Sequence, residues 1–499
     1  MSRRKNLVVE LSQGLNPDQA RAVLSAHPRM LIIAGAGAGK TTVLARRVVH
    51  LISQGCPPEL ILCVTFTRKA ATEMGERIAR LLAEHLPDAS RPEIRTLHAW
   101  GVGMIRRYPE HFGLTRDFSI YDEQDREDIV RLVAQERGHK TPLTSRLSTL
   151  LKDVAIRNGY AERLQAGNAI DFDMIEVYTL RLLAEHDEVR SRWTSFYRHV
   201  LVDEYQDTNL AQVAILRGVA PENLCVVGDP RQSIYRFRGA EVQTIVDHAR
   251  DNAFEVIELT VNYRSVPGIV AYGNGCVDGD WAPMVSGREG QVCPACEGAG
   301  YDRQYRATTC PPPCPACFTP TGRRPAGEVL AVRGYTFGAE PPLVAGLVRA
   351  ERANGRPWGA IAVLARNWAA LEAIRDNLVD AGIPVNFCGA DEDPWATEDG
   401  RALARCLLLA HNPHDDNLAT LLAEWGAVGR RRFGDLRLVR IAALQTRTKM
   451  VEVFARTDPE WAAVWNRLHV RAVGPWSAAQ HAEAFLEGLG VLETYEARG

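Results

Sequence analysis

The chain has 499 residues, of which 46% are hydrophobic, 24% charged and 7% aromatic. These are the proportions of ordinary globular domains, and they exclude a wholly disordered or collagen-like chain. The formal net charge of −2 excludes a histone-like protein that holds nucleic acid by bulk charge, so any nucleic-acid site must be a local groove. Because a single core rarely exceeds about 250–300 residues, the length predicts about three or four domains.

The sequence shows no sign of a membrane span or a secretory leader. No apolar stretch reaches the roughly 18 residues that a transmembrane helix needs. Residues 1–15 combine a basic tip with no apolar core and no small-residue cleavage site. The 11 cysteines are too few for a disulfide scaffold. We therefore expect a cytoplasmic protein.

Short apolar runs alternate with amphipathic helical stretches through the first half of the chain. The predicted strands are Met30–Ala34, Ile61–Thr67, Ile94–His98, Val200–Asp203, Leu224–Gly228 and Val256–Leu259. Helices are predicted at Thr42–Gln54 and Arg68–Leu82. This alternation predicts an α/β fold with a parallel sheet that is covered on both faces. We place this first domain at 1–99 and 196–262, interrupted over 100–195 by an insertion that reads as helical, without clear strands.

The second half of the chain divides into two further predicted parts. A second α/β block is expected over 263–389, with strands at Gly327–Val332 and Ile361–Leu364 and a helix at Trp368–Ala381. A stretch rich in Pro, Cys and Gly over 290–327 lies within this block. From residue 390 to residue 499 the pattern predicts helices alone.

A glycine-rich loop follows the first predicted strand. The residues from Ala34 to Thr42 read Ala-Gly-Ala-Gly-Ala-Gly-Lys-Thr-Thr, which is a Walker A loop with Ala in place of the usual first Gly. Glycines let successive N–H groups wrap a phosphate, and the following helix adds its positive end. Lys40 is predicted to reach the β- and γ-phosphates of ATP, and the Thr41 hydroxyl to hold Mg²⁺. The plainer interpretation, a glycine-rich turn between a strand and a helix, does not account for the Gly-Lys-Thr ending.

Two adjacent carboxylates follow another predicted strand. His199–Val202 leads into Asp203 and Glu204, which is a Walker B pattern. Asp203 is predicted to hold Mg²⁺ directly or through water, and Glu204 to act as the general base on the attacking water. Such a pair on its own often only caps a helix, but together with the Walker A loop it indicates hydrolysis of a nucleotide.

The two nucleotide motifs belong to an ordered series of short segments. In chain order these are Leu15–Gln19, Thr65–Ala71, Thr96–His98, Val202–Thr208, Val227–Ala240 and Asn262–Ser265. Their residues, order and spacing resemble those of the UvrD/Rep/PcrA-like superfamily 1 DNA helicases, and the resemblance covers nearly the whole chain. It implies RecA-like P-loop NTPase domains with helical insertions, of which the second RecA-like domain is incomplete. It also implies an ATP-dependent 3′-to-5′ DNA helicase, or single-stranded DNA translocase, of DNA repair or replication.

The resemblance assigns roles to individual residues. Residues of the catalytic centre would be Lys40, Asp203, Glu204, Gln232 and Arg264. The nucleotide would lie against Gln19, Ala34, Gly35, Ala36, Gly37, Ala38, Gly39, Lys40, Thr41, Thr42, Tyr263 and Arg264. Among these, Gln19 resembles the glutamine that reads adenine, and Tyr263 the aromatic that stacks on it. Gln232 resembles the sensor between γ-phosphate and DNA, and Arg264 an arginine that contacts the γ-phosphate.

A second group of residues resembles the DNA contacts of these helicases. These are Thr65, Phe66, Thr67, His98, Tyr235, Phe237 and Arg238. Aromatic faces suit a translocase because every base can stack on them, at about 1–3 kcal/mol per base. Single-stranded and partly duplex DNA are the partners that the resemblance implies. The family often has Trp where Phe237 stands, and Arg where Thr42 stands.

The end of the chain departs from the family pattern. The Thr-x-His-x-x-Lys-Gly-Leu motif and the final arginine motif of the family are missing from the sequence. We expect that the chain alone binds ATP and single-stranded DNA but hydrolyses ATP slowly and does not unwind duplex. Two alternatives stay open here: a non-catalytic protein that binds ATP and DNA, and one part of a split helicase whose partner chain supplies the missing motifs.

A cluster of cysteines lies in the stretch 290–327. Cys293 and Cys296 form one C-x₂-C pair, and Cys314 and Cys317 form a second pair 17 residues further on. This spacing is typical of a zinc ribbon, in which two turns supply four thiolates to one tetrahedral Zn²⁺. Cys310 could take the place of Cys314. The alternative is a loop with incidental cysteines.

Overall fold

The computed structural model describes residues 2–138, 147–220, 222–236, 239–277, 281–287 and 340–386, and several positions between 401 and 421. These residues form two compact units. The first comprises Met1–Phe112 and Phe172–Ala331, and the second comprises Gly113–Asp171 and Val332–Gly499. The predicted strand Gly327–Val332 and the cysteine cluster lie outside the described residues.

The named helices lie in the described residues between Ser2 and Asp380. They are α1 (Ser2–Ser12), α2 (Pro17–Leu24), α3 (Lys40–Ser53), α4 (Arg68–His85), α5 (Leu97–Arg107), α6 (Glu123–Glu136), α7 (Leu147–Leu150), α8 (Val154–Ala166), α9 (Phe172–Glu185), α10 (Asp187–Phe196), α11 (Leu210–Val219), α12 (Gln243–Arg250), α13 (Pro267–Gly275), α14 (Glu340–Ala353) and α15 (Trp368–Asp380). None of the described helices is long and apolar enough to cross a membrane.

The strands concentrate in the first unit. They are β1 (Arg29–Ala34), β2 (Ile61–Thr65), β3 (Glu93–Thr96), β4 (Ser119–Tyr121), β5 (Ala169–Asp171), β6 (His199–Val202), β7 (Leu224–Gly228), β8 (Glu255–Leu259), β9 (Val261–Asn262) and β10 (Val285–Ser286). Six of them form one sheet in the order β3-β2-β6-β7-β1-β8, and every neighbouring pair is parallel. The predicted parallel α/β sheet is therefore confirmed.

The sheet is buried because its strands are almost continuously apolar. In β1 the five residues from Met30 to Ala34 are all buried, as are all five residues of β2 and of β7. Strands buried on both faces need helices on both sides, which parallel connections supply. The buried residues of α3, such as Val43, Leu44 and Val48, pack in one core cluster with the strands. All six carboxyl ends therefore meet at one edge of the sheet.

Several helices begin where a side chain caps the N–H groups of the first turn. Thr67 accepts a hydrogen bond from the N–H of Ala70 at the start of α4, and Thr96 accepts one from Ala99 at the start of α5. Asn16 and Asn209 form reciprocal capping boxes with the glutamine three residues further on. Each such cap satisfies N–H groups that the helix itself leaves unpaired.

The second unit corrects the prediction of an insertion without strands over 100–195. β4 and β5 pair in parallel, with Ile120 opposite Ile170. Each strand has only three residues, which is too short for an alternating pattern to stand out between helices. α6 and α8 pack beside this pair.

The predicted strand at Ile361–Leu364 is wrong. These residues are not in a strand, and no described strand lies beside them. Ile361 and Val363 pack against the core formed by α14 and α15, while Leu364 is 90% exposed. An apolar run becomes a strand only where a neighbouring strand takes up its N–H and C=O groups. The predicted helix Trp368–Ala381 is confirmed as α15.

Buried polar contacts join two distant segments of the second unit. Arg405 Nε lies 2.9 Å from Asp125 Oδ1, and its Nη2 lies 2.6 Å from Asp128 Oδ2. The Tyr121 hydroxyl donates to Asp415 Oδ1 at 2.5 Å. Asn412 donates to the Ser119 hydroxyl at 3.0 Å. These bonds hold the described residues of 401–421 against β4 and α6.

Candidate nucleotide-binding site

The loop between β1 and α3 has the backbone shape that a phosphate cradle requires. Gly37 and Gly39 have φ of 70° and 82°, in the left-handed region that glycine adopts without strain. A Cβ on Gly37 would lie 2.6 Å from Asn262 Oδ1, so this position also needs glycine for lack of space. Loop N–H groups and the start of a 14-residue helix are the elements that bind phosphate in proteins. The residues present fit ATP.

Lys40 opens α3 and reaches across to the end of β6. Its Nζ lies 2.6 Å from Glu204 Oε2, and the lysine side chain is only 12% exposed. Thr41 and Thr42 follow in the first turn and are half-buried. The predicted Walker A and Walker B residues therefore meet at the carboxyl edge of the sheet.

The end of β6 places two carboxylates of different character side by side. Burial raises the pKa of Asp203 to about 6, and the neighbouring charge of Glu204 adds to this, while Lys40 opposes it. Asp203 Oδ1 accepts the N–H of Glu204 at 3.0 Å. Glu204 itself has φ of 51° and ψ of 44°, a left-handed conformation that is uncommon for a residue with a side chain. Asp203 directly follows β6 and Thr41 lies in the first turn of α3; that these two residues hold Mg²⁺ stays a prediction.

The residues predicted to surround the adenine lie together at the other side of the loop. Gln19 Nε2 donates to the carbonyl of Ala38 at 2.9 Å. The Tyr263 N–H donates to the carbonyl of Gly37 at 2.9 Å, and its hydroxyl accepts a hydrogen bond from Asn16 Nδ2 at 2.9 Å. Gln19 and Tyr263 are thus both hydrogen-bonded to the same loop, and Tyr263 is 44% exposed.

Asn262 anchors the segment that carries Arg264. Its Oδ1 accepts the N–H groups of Arg264 and Ser265, each at 2.8 Å. The same oxygen is the atom that would meet a Cβ on Gly37. The backbone of Arg264 therefore lies directly beside the phosphate loop, as its predicted role requires.

Gln232, the predicted sensor, belongs to a polar chain that follows β7. Gln232 Nε2 donates to Asp229 Oδ2 at 2.7 Å, and Arg231 Nε donates to Asp229 Oδ1 at 2.8 Å. The N–H of Asp229 donates to Gln206 Oε1 at 3.0 Å. Gln206 Nε2 in turn donates to Glu204 Oε2 at 2.8 Å.

Two contacts at this site, one made by Gln206 and one by Arg77, are not among the sequence predictions. Gln206 lies within the Val202–Thr208 segment, yet nothing in one sequence shows that its amide reaches Asp229. Arg77, on α4, donates to the Thr42 hydroxyl at 2.6 Å. It brings a guanidinium next to the position where the family often has an arginine. The helical spacing of α4 alone could not reveal this contact, because it depends on how α3 and α4 pack.

Four of the predicted DNA contacts lie at the ends of β2 and β7. The rings of Phe66 and Tyr235 have centroids 5.0 Å apart and planes inclined by 31°. Thr65 is buried, and its hydroxyl donates to the carbonyl of Thr67 at 3.1 Å, so it shapes the segment that presents Phe66. Thr67 caps α4.

His98 follows the neighbouring strand β3, whose Thr96 pairs with Thr65. Its Nε2 is 3.2 Å from Glu176 Oε1, and its ring is 6.1 Å from that of Phe172. Phe172 is 45% exposed, and it is an aromatic that the sequence prediction of DNA contacts does not include. Phe237 and Arg238 lie outside the described residues.

The zinc prediction is not tested by the structure. Cys293, Cys296, Cys314 and Cys317 all lie outside the described residues. Within the part of the chain that the structure describes, no group of three or more His, Cys, Asp or Glu side chains is arranged to hold a metal ion. The zinc ribbon therefore stays a prediction.

Comparison with known proteins points to one family. Residues 15–155 and 149–253 match the model of the UvrD/REP helicase N-terminal domain. The chain is 36% identical over 313 residues to ATP-dependent DNA helicase UvrD1 of Mycobacterium leprae, which covers 54% of the chain and 40% of that protein. It is 30% identical over 465 residues to ATP-dependent DNA helicase PcrA of Bacillus subtilis, covering 87% of the chain and 58% of that protein.

The chain thus spans about two fifths of the first relative and less than two thirds of the second. Within the matched region lie the phosphate loop, the two carboxylates after β6 and the polar chain after β7. The sequence, the parallel sheet and these matches agree, and residues 15–253 are an N-terminal domain of the UvrD/REP helicase kind.

Proposed function

We propose that this chain is an ATP-dependent DNA helicase, or single-stranded DNA translocase, that moves 3′ to 5′ and acts in DNA repair or replication. The observation that carries the proposal is the meeting of Lys40 with Glu204 at 2.6 Å on the sheet edge where Phe66 and Tyr235 also lie. Phosphate and base ligands would therefore bind along one edge, which is where parallel α/β sheets hold their ligands.

The proposed hydrolysis uses residues that already face one another. Lys40 would leave Glu204 and contact the β- and γ-phosphates, which neutralises charge that grows as the phosphoryl group transfers. Thr41 and Asp203 would hold Mg²⁺, which draws further charge from the phosphates. Glu204 would take a proton from the attacking water. Gln232 and Arg264 would lie on the γ-phosphate side.

The proposed DNA contact uses aromatic faces rather than base-specific hydrogen bonds. Phe66 and Tyr235 are half-buried, so each ring is held by the protein while part of its surface is open to a base. Stacking of this kind tolerates every base, as a translocase requires. Both rings follow strands of the sheet that carries the nucleotide site.

The test is the rate of ATP hydrolysis by the full chain with Mg²⁺, measured with and without oligo(dT). We expect the DNA to raise the rate. Because the chain alone is not expected to unwind duplex, ATP-driven displacement of streptavidin from oligonucleotides biotinylated at the 5′ or the 3′ end tests the direction. A rate that DNA does not change would contradict the proposed function, and displacement from the 3′ end alone would contradict the direction.

We also propose, from the sequence alone, that Cys293, Cys296, Cys314 and Cys317 hold one structural Zn²⁺. The two C-x₂-C pairs and their spacing support this. Metal analysis of the purified chain should find about one equivalent of zinc. Less than about half an equivalent, with freely titratable thiols, would contradict it.

A further inference from the structure

Gln206 is almost completely buried between the ends of β6 and β7. It is 2% exposed. Its Nε2 donates to Glu204 Oε2 at 2.8 Å, and its Oε1 accepts the N–H of Asp229 at 3.0 Å. Its own carbonyl accepts the Ser233 hydroxyl at 3.3 Å. One side chain therefore connects the Walker B carboxylate to the loop that begins at Asp229.

Both hydrogen bonds require an amide in one orientation. The Asp229 N–H is a donor and needs an acceptor, whereas the Glu204 carboxylate needs a donor. A glutamate at position 206 would keep the acceptor but set two carboxylates against each other. An apolar side chain of the same length would fill the space and lose both bonds. The site thus selects glutamine by its chemistry and not only by its volume.

Glu204 has two partners, and ATP would remove one of them. Lys40 and Gln206 both contact Oε2 of Glu204, at 2.6 and 2.8 Å. In the proposed function Lys40 turns to the phosphates, so Gln206 is then the side chain that still holds the carboxylate. The left-handed backbone of Glu204 adds to the need for such a support, because this conformation persists only where its surroundings hold it.

The other end of Gln206 leads to the proposed DNA contact. Asp229 holds Gln232 through its side chain at 2.7 Å. Six residues beyond Asp229, the ring of Tyr235 lies against that of Phe66 at a tilt of 31°. A base that displaces Tyr235 would strain a short segment whose first residue is bonded to Gln206.

Resting on the proposed function, we propose that Gln206 is a positioning residue that holds the general base Glu204 and links its placement to the Asp229–Tyr235 loop. In this proposal, DNA binding changes the rate of ATP hydrolysis through the buried side-chain amide of Gln206. Gln206 touches neither substrate, and it acts only through Glu204 and Asp229.

The experiment compares the full chain with its Gln206→Met and Gln206→Glu variants. Thr179→Val is the control, since Thr179 is buried, bonds only to the carbonyl of Ile175 in its own helix and has no proposed role. Two quantities are measured. One is the single-turnover rate of ATP hydrolysis with and without oligo(dT). The other is the factor by which a non-hydrolysable ATP analogue changes the affinity for oligo(dT).

We expect Gln206→Met to lower the DNA-stimulated rate about 10- to 100-fold, as misplacement of a catalytic group does. Its affinities for ATP and for DNA, each measured alone, should stay within about threefold of the original. The factor by which the ATP analogue changes the affinity for oligo(dT), here called the coupling factor, should fall from about 5-fold or more to about 1. Thr179→Val should lower the melting temperature without changing either quantity. In a Glu204→Gln background, Gln206→Met should cause no further loss of turnover.

The outcomes separate this inference from the proposed function. If the unsubstituted chain binds neither ATP nor oligo(dT), the proposed function itself is wrong. If it binds both, but its coupling factor is 1 or Gln206→Met keeps the original rate and coupling factor, only the role of Gln206 is wrong. An additive loss in the double variant would also overturn it.

Discussion

At the scale of single residues, the chemistry centres on Glu204 and the charges around it. Its carboxylate pairs with Lys40 and accepts a hydrogen bond from Gln206. Its neighbours Asp203 and Asp207 both have a pKa raised to about 6, chiefly by burial and then by the charge of Glu204. Three carboxyl groups therefore lie close to one lysine, of which Glu204 alone contacts it.

Replacing Glu204 with Gln should separate binding from hydrolysis. The amide keeps the shape and frees Lys40 from its carboxylate partner, so the affinity for ATP should hold or rise. Turnover should fall by about 10²-fold or more because the base is lost. Titration with ATP and a hydrolysis assay measure the two effects, with the exposed Glu185→Gln as control. A variant that loses ATP binding would instead place Glu204 on the metal or in the fold.

His248 gives the first unit a dependence on pH. It lies buried beside Phe254, with ring centroids 4.3 Å apart, and its Nε2 is 3.1 Å from the Tyr205 hydroxyl. Burial, with help from Arg217, lowers its pKa to about 4. Between pH 6.5 and 4 the unfolded chain binds a proton at this position that the folded chain does not, so the contribution of His248 to the free energy of unfolding falls as the pH falls. The raised pKa values of Asp203 and Asp207 act in the opposite sense.

The test compares urea unfolding at pH 7.5 and pH 5.5. His248→Phe keeps the stacking and removes the proton, so its loss of stability between the two pH values should be smaller than that of the original chain. His411→Phe, at an exposed position, should leave the loss unchanged. An equal loss in the His248 variant and the original chain would show that this histidine does not carry the effect.

At the scale of elements, the parallel sheet brings separate segments to one edge. β2 ends at Thr65 and β7 ends at Gly228, and the aromatic residues that follow them come into contact.

Phe66→Ala should weaken binding of oligo(dT) by about 1–3 kcal/mol, the value of one stacked base. Phe196→Ala, which removes a more exposed aromatic on α10, should leave the affinity unchanged. Fluorescence anisotropy measures both, and equal affinities for all three proteins would remove Phe66 from the DNA site.

The sequence predicted the strands that are apolar throughout, and it failed where an element depends on its neighbours. β1, β2 and β7 are visible as buried runs, because both faces of a parallel strand need apolar side chains. β4 and β5 were not predicted, because a strand of three residues is too short to show an alternating pattern of apolar and polar side chains. Ile361–Leu364 has the composition of a strand, but its pairing depends on a partner that one segment cannot reveal.

In the candidate site too, the motifs within single segments were predicted, and the contacts between elements were not. Lys40, Asp203 and Glu204 were predicted together, because a glycine loop and a carboxylate pair after parallel strands must reach one edge. The link from Gln206 to Asp229 and the contact of Arg77 with Thr42 were not predicted. Both depend on side-chain packing between elements that lie 23 and 35 residues apart in the chain.

At the scale of the whole molecule, the second unit is held by charges that come from distant parts of the chain. Arg405 is buried and bonds Asp125 and Asp128, which lie 280 and 277 residues away. Arg405→Met would leave two carboxylates without their cation, and breaking such a buried pair costs about 3–5 kcal/mol. We expect faster hydrogen exchange in the backbone of α6.

Two further variants show whether charge is the cause. Arg356→Met removes an ion pair in which the arginine side chain is 58% exposed, and it should leave exchange in α6 unchanged. Combining Arg405→Met with Asp125→Asn and Asp128→Asn removes the unpaired charges and should restore part of the protection. If the single Arg405→Met variant exchanged like the original chain, these contacts would not stabilise the unit.

Equilibrium binding of ATP with Mg²⁺ to the full chain tests whether the edge beside β1 and β6 is an ATP site built on Lys40. We predict saturable binding of one ATP, weakened at least about tenfold in Lys40→Ala, because the lysine is the cation placed where two phosphates converge. Lys152→Ala, which removes an exposed lysine, should bind like the original chain. Equal affinities for the original chain and Lys40→Ala, or no binding of ATP by the original chain, would contradict the account.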